Sequence, residues 1–361
     1  IECTSNFSIK ELLPVLLKEN YFLNVTSGTQ YVTVGGAIAS DIHGKNHHKD
    51  GSFCDHVSEI KILLANGKII KCSKNKNRKL FISTCGGMGL TGIILSAKIR
   101  LSKIPSSFIK ETTIKSNSLK ETLDYFKKYN HKKYIVSWID TNAKNKNLGR
   151  GIIYIGEHTK RTNNNSSKYS SFKIPFNFPN FLLNNFLLKL LSKIFFLKSL
   201  KFNEQIVEVK KYFYPLDNIE DWNKVYGKNG FVQIQILVSN KNVVKNLKKI
   251  ILFFQERNQI SFVSTLKKMG KKNKNLLSFP EDGYTITFDV KNNPNLKSFY
   301  TQLEKLLIKM NAKIYLTKDA LMTKDYFYKT YSNLGKFIKY KKIYDPKLKF
   351  TSYQSKRLDI R

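Results

Sequence analysis

The chain has 361 residues, 41% hydrophobic and 13% aromatic, with a formal net charge of +37. That much apolar mass supports a large core in two domains, or in one large domain with another inserted, and excludes both a small cross-linked scaffold and a disordered tail. A basic surplus of this kind suggests phosphate backbones or anionic membranes as partners, but it runs along the whole chain with an excess of Asn, Ile, Phe and Tyr. Base composition therefore explains most of it, and no nucleic-acid partner is favoured.

In chain order, "IECTSNFSIKELLPVLLKENYFLNV" predicts a strand, an Asn or Ser cap and an amphipathic helix over 8–19. A loop of small residues follows, "VTVGGAIASDIHGKNHH" (32–48). Next comes "VSEIKILLANGKIIKCS", whose apolar alternation around Asn66-Gly67 predicts a hairpin. A second glycine cluster within "CGGMGLTGIILSAKIRL" (85–101) leads into a strand. Beyond about 105 the pattern changes to longer helices ("SLKETLDYFKKY", "NVVKNLKKIILFFQE", "NLKSFYTQLEKLLIKM") alternating with strands such as "FVQIQILV" and "YTITFDV". Such interleaving predicts a separate α+β domain. The basic runs 267–275 and 336–342 read as solvated faces.

Residues 178–202 are the most hydrophobic stretch, but Lys189 and Lys193 interrupt it before it reaches the ~20 apolar residues of a membrane span. On a helix, Asn185, Lys189, Ser192, Lys193 and Ser199 share one arc, and Leu183, Phe186, Leu187, Leu190, Ile194 and Leu197 occupy the other. Two readings are open: the apolar arc lies on a membrane surface, or it packs on the protein's own core. The four cysteines (3, 54, 72, 85) have neither CxxC nor metal-ligand spacing, which fits a reducing compartment better than a disulfide framework or a zinc site.

Small residues in a row let a backbone approach a ligand closely. The clusters at 28–37 and 86–92 match neither GxGxxG nor a Walker loop, so the usual nucleotide motifs are excluded. Two such clusters separated by a hairpin predict one large flat ligand held at several points. No carboxylate or cysteine accompanies His43, His47 and His48 at useful spacing, so no metal is expected there.

The segments "SGTQYVTVGGAIASDIHGKNHHKDGSFCDHV", "GGMGLTGII", "KVYGKNGFVQIQILV", "YLTKDA" and a late "DP" occur in the order and spacing of the vanillyl-alcohol-oxidase-type (PCMH-type) flavoproteins. The likeness is greatest to the branch that oxidises decaprenylphosphoryl-β-D-ribose for cell-wall arabinan. It implies an α+β fold: a two-part FAD-binding domain over 1–105 and 313–361, with an inserted α+β substrate domain over 106–312. It also implies an upstream pyrophosphate-loop segment that is not among these residues.

By the same resemblance, FAD is lined by Gly28, Thr29, Thr33, Gly35, Gly36, Ser40 and Ile42, by Met88, Gly89 and Ile94, and by Tyr315. Met88 stands where the branch carries an asparagine. His43 is then the group that accepts or relays the substrate's hydroxyl proton, with a structural loop histidine as the alternative, and Lys318 is the active-site lysine. His47 and His48 are expected to be structural. Trp138, Gln233, Gln235, Lys267, Thr285 and Thr287 line the substrate cavity. Phe213, Thr285, Met269 and Thr287 depart from the branch's tyrosine, asparagine, phenylalanine and cysteine, which implies a difference at the sugar or lipid end of the substrate.

The implied function is oxidation of the 2-hydroxyl of a lipid-linked pentose phosphate to a keto sugar, the first half of a 2-epimerisation. The implied partners are an NADH-dependent short-chain reductase and a membrane surface, in the cytoplasm or on the inner face of the membrane. The alternatives are a sugar or aldonolactone oxidase of the same fold and, from another class, a basic nucleic-acid-binding protein.

Overall fold

A computed structural model describes residues 1–160, 172–179 and 185–361. The chain divides into two compact units: Ile1–Ile104 with Gly270–Glu281 and Met322–Arg361, and Pro105–Met269 with Asp282–Leu321. Both mix helix with antiparallel sheet.

In the first unit β1 (Glu2–Thr4) leads to α1 (Ile9–Lys18). Ser8 caps α1 in a reciprocal capping box with Glu11, and Ile9, Leu12, Leu13 and Leu16 are buried. That spacing gives a single apolar stripe, and burying each such side chain contributes about 1.5–3 kcal/mol. After α2 (Val34–Ala39) come β2 (Val57–Leu63), β3 (Ile69–Cys72), α3 (Arg78–Thr84) and β4 (Ile93–Ile99). The antiparallel sheet runs β1-β4-β2-β3. The Asn66-Gly67 turn joins β2 to β3 as expected, with Gly67 at φ +81°.

The second unit is built on eight antiparallel strands. They are β5 (Phe108–Ser116), β6 (Tyr134–Ile139), β7 (Gly151–Thr159), β8 (Phe202–Glu208), β9 (Phe231–Ser239), β10 (Thr265–Met269), β11 (Gly283–Lys291) and β12 (Lys313–Ile314). Their spatial order is β8-β5-β7-β6-β10-β11-β9-β12. One face, with Leu266, Ile286, Phe288, Ile234 and Ile236, is buried. It packs under α4 (Leu119–Lys128) and α6 (Val243–Glu256), where the Phe254 ring stacks on Phe288 at 3.7 Å, and α7 (Leu296–Ile308) joins α6 through Phe299 against Phe253 and Phe254.

The other face carries polar residues and, over Trp138 and Ile152, the helix α5 (Asn185–Lys198). Residues 178 and 179 and the end of the predicted 178–202 helix lie outside α5, and Leu183 lies outside the described residues. Among the described residues no helix is long and apolar enough to cross a membrane.

The two basic runs are not simply solvated. Lys267–Met269 belongs to β10, Asn275 is buried, and Phe337 and Lys341 are buried in the helix Leu334–Tyr344.

Candidate functional site

In the first unit the two glycine clusters are fastened together through backbone. The Gly86 N–H donates to Ile38 O and the Met88 N–H to Ala39 O, each at 2.9 Å. Thr33 caps α2, its Oγ1 accepting from the Gly36 N–H at 3.1 Å. Gly35 sits directly on Ser5: its N–H donates to Ser5 O at 2.8 Å, and a Cβ there would lie 3.0 Å from Ser5 Cβ. Gly28, Thr33, Gly36 and Gly89 lie at the surface, and Thr29 and Ser40 are half-buried.

A Cβ built on Gly28 or Gly89 meets nothing within 4 Å. At these two positions glycine leaves open the space that a side chain would fill, which suits a flat ring system and a diphosphate lying against the chain. Ile42 and Ile94 differ, because their side chains are in the core, so any ligand contact from them must come from backbone. Met88 holds φ +54°, a left-handed backbone that asparagine accepts more readily than an unbranched apolar side chain.

His43 is buried. Its ring lies 5.9 Å from that of Phe279 and 6.4 Å, edge-on, from that of His47. Its backbone bridges to Ser52. His47 has a structural task, its Nδ1 accepting from the Gly270 N–H at 2.9 Å. Asp41, which the sequence did not single out, organises this loop. It is fully buried and accepts from the Cys54 N–H (3.0 Å), Asn273 Nδ2 (2.7 Å), Asn275 Nδ2 (2.8 Å) and Ser278 Oγ (2.8 Å). Four donors hold the carboxylate that lies two residues before His43.

In the second unit the strand register gathers the expected substrate residues on the polar sheet face. Gln233 pairs with Asp289, Gln235 with Thr287, Lys267 with Thr285 and Trp138 with Thr265. Alternation along each strand keeps them on one side. Thr287 Oγ1 accepts from the Thr265 N–H at 2.9 Å, and Trp138 Nε1 donates to Phe262 O at 2.8 Å. Tyr315 follows β12, its N–H donating to Gln235 O at 3.0 Å, and Lys318 lies one turn further on.

Three ionisable groups here act on one another. Burial pushes Asp289 up to about 6, although the Gln233 bond, the Lys318 charge and the Tyr226 hydroxyl all pull it down. Burial lowers Lys318, opposed by Asp289. Burial and the Lys318 charge bring Lys267 down to about 8. Asp289 and Tyr226 were missed in the sequence. Asp289 stands two residues beyond Thr287 and four beyond Thr285, so strand alternation alone marks it as a neighbour on the same face.

The arrangement is a small-residue cradle in one unit and a buried acid–lysine network among amides in the other. The family described as "FAD binding domain" matches residues 7–73, which include all of the first glycine cluster. The decaprenylphosphoryl-beta-D-ribose oxidase of Mycolicibacterium smegmatis is 31% identical over 372 residues, spanning all of this chain and 81% of that protein. L-gulonolactone oxidase of Bos taurus is 34% identical over 116 residues, 32% of this chain and 26% of that protein. Cytokinin dehydrogenase 1 of Arabidopsis thaliana is 34% identical over 87 residues, 24% of this chain and 15% of that protein. With likeness along its whole length to the first and an FAD-binding match over the first glycine cluster, the chain belongs to the decaprenylphosphoryl-β-D-ribose oxidase family of FAD-dependent oxidoreductases.

Proposed function

We propose that this chain oxidises the 2-hydroxyl of a polyprenylphosphoryl-β-D-ribose to the 2-keto sugar, the first half of a 2-epimerisation that an NADH-dependent short-chain reductase completes. The reaction would take place at the inner face of a membrane. In this reading the first unit, with its three segments Ile1–Ile104, Gly270–Glu281 and Met322–Arg361, is the FAD-binding domain, and the second is the substrate domain. The observation that carries it is likeness along the whole chain, the second unit included, to decaprenylphosphoryl-beta-D-ribose oxidase. Likeness to the lactone oxidase extends over only 32% of the chain, which favours the lipid-linked sugar over a free lactone.

Bound FAD supplies the two-electron acceptor for the C–H bond that is broken. The strip of Gly28, Thr29, Thr33, Gly35, Gly36 and Ser40, with Met88 and Gly89, holds it, and Ile42 and Ile94 support that strip from the core. His43, fixed by the loop that Asp41 anchors, takes the hydroxyl proton as the alcohol becomes a carbonyl. Lys318 places a positive charge where negative charge develops, and Tyr315 beside it borders the cofactor. Gln233 and Gln235 meet sugar hydroxyls, Lys267 meets the phosphate, and Trp138, Thr285 and Thr287 wall the pocket.

The test is anaerobic flavin bleaching by three candidate substrates: a short-chain prenylphosphoryl ribose, free pentoses and aldonolactones. Bleaching by the prenylphosphoryl sugar alone is expected. Bleaching only by soluble lactones would transfer the assignment to the lactone oxidases.

A further inference from the structure

The helix α5 presents its apolar side to solvent. The stripe that packs on the second unit is narrow: Leu188, Ser192 and Phe196. Leu188 joins Tyr226 and Ile260, and Phe196 joins Trp138 and Ile152 while lying under the cations of Lys115 (4.3 Å) and Arg150 (4.1 Å). Ser192, expected on the outer polar arc, is inside instead, accepting from Asn142 Nδ2 at 2.9 Å and donating to Leu188 O at 3.0 Å. At 100° per residue the direction opposite this stripe is occupied by Phe186, Leu190, Ile194 and Leu197. Phe186 is 75% exposed, Leu197 59%, and Leu190 and Ile194 39% each. The second of the two readings, that the apolar arc packs on the protein's own core, is therefore not what the helix does.

The charge carried by this helix and the chain flanking it is of one sign. Residues 158–203 contain no Asp or Glu, and within α5 Lys189 and Lys193 flank the apolar arc while Lys198 closes its end. A helix surface that is apolar and whose own segment carries only cations is poorly matched to water and well matched to an anionic lipid interface, where the ridge enters the acyl boundary and the ammonium groups stay among the headgroups.

We propose that α5 is a bilayer-docking helix, lying in the surface of an anionic membrane with Phe186, Leu190, Ile194 and Leu197 below the headgroups and Lys189, Lys193 and Lys198 among them. The proposal deepens the functional reading, since a polyprenyl-linked sugar is presented at a membrane surface.

The experiment uses the flavin-loaded full chain in flotation assays with phosphatidylglycerol/phosphatidylcholine vesicles and with pure phosphatidylcholine vesicles. It contains neither sugar substrate nor electron acceptor, so its failure is distinct from failure of the oxidase assignment. Binding to the anionic vesicles is expected, weakened at least ~10-fold by Leu190→Ser/Ile194→Ser/Leu197→Ser at unchanged melting temperature and flavin content. Lys189→Gln/Lys193→Gln is expected to weaken binding several-fold at low salt, with the difference fading at high salt. If the triple variant does not fold, Phe186→Trp in the otherwise native chain takes its place: brominated lipids should quench the new indole. Absence of vesicle binding, binding indifferent to the apolar substitutions, or an unquenched indole overturns the proposal. So does a wild-type dimer that the triple variant turns into monomers without change in vesicle binding, because the ridge would then be a surface for a second copy of the chain.

Discussion

Gln233 Nε2 donates to Asp289 Oδ1 at 2.5 Å across the β9–β11 pair, so an amide proposed to read the substrate is held by a buried carboxyl. The carboxyl is raised to about 6, chiefly by burial. The folded state therefore holds its proton more tightly than the unfolded state, and between about pH 4 and pH 6 the folded protein binds more protons. Stability contributed by this group is complete below pH 4 and falls as pH rises through 6, by about 3 kcal/mol in total. Asp289→Asn keeps the shape and an acceptor for Gln233, so it should abolish that fall and raise stability at neutral pH by up to that amount. Denaturant melts at pH 4.5 and pH 7 check it: the gap between variant and wild type should widen with pH.

The same substitution should damage catalysis while it stabilises the fold. Asp289 is the charge that counters the downward pull of burial on Lys318. Without it the Lys318 pKa falls further, and the alkaline limb of the kcat/KM profile should move to lower pH. An unmoved alkaline limb would separate Asp289 from the lysine's function.

Lys318 and Lys267 should fail in different ways. In the proposed reading Lys318→Ala removes a charge used only as the reaction proceeds, so turnover is expected to drop roughly 10²-fold with flavin still bound. If Lys267 meets the substrate phosphate as proposed, Lys267→Met removes a ground-state contact, so KM should rise about 10-fold with little change in kcat. Because Lys267 titrates near 8, wild-type KM for a phosphate-bearing substrate should climb as pH passes 8, and the variant's should not. Steady-state kinetics from pH 6.5 to 9.5 read both effects.

Much of this was legible from local pattern, and the rest depended on pairing between distant segments. An Asn or Ser cap announced the start of α1, Asn66-Gly67 its hairpin, and the Gln233/Gln235 alternation a shared strand face. Asp289 was legible only as a neighbour of Thr285 and Thr287 by alternation, not as a buried group, and Asp41 was not legible at all, because a carboxylate in a strand or loop looks like surface charge until its distant partners are known. For Asp41 these are Asn273, Asn275 and Ser278, more than two hundred residues away. The arc of α5 was drawn correctly as a periodicity but carried no sign: helical spacing says which side chains share a face, and only Phe196 beneath Lys115 and Arg150 reveals which face turns inward.

The glycines of the cradle divide into those that serve the fold and those that serve the ligand. Gly35→Ala forces a methyl to within 3.0 Å of Ser5 and should cost about 1–3 kcal/mol. Gly28→Val adds its side chain where nothing lies within 4 Å, so the melt should shift by no more than ~0.5 kcal/mol. If that open space is where FAD lies, the valine variant should nevertheless purify with much less flavin. The absorbance ratio of flavin to protein, measured beside the melt, distinguishes the two effects; full flavin content in Gly28→Val would remove residue 28 from the cradle.

The carboxyl of the late Asp-Pro pair should govern the stability of the first unit in acid. Asp345 is fully buried with Lys341, whose Nζ donates to its Oδ2 at 2.8 Å. The N–H groups of Lys349 (2.8 Å) and Phe350 (2.9 Å) complete its shell. Burial pushes this carboxyl up, but the lysine and the two N–H donors outweigh it and hold it below the ordinary carboxylate value. A depressed folded pKa means that the stabilisation is present above the unfolded value of about 4 and is lost as pH falls through the lower folded one. Asp345→Ala leaves an uncompensated buried ammonium and should cost about 3–5 kcal/mol at neutral pH. Asp345→Ala/Lys341→Met removes both charges and should recover a large part of that loss, since an apolar pair of similar volume is often as stable as a buried ion pair. Denaturant melts of wild type and both variants at pH 7 test this, and a double variant no more stable than the single one would show that the backbone N–H bonds, rather than the ion pair, carry the effect.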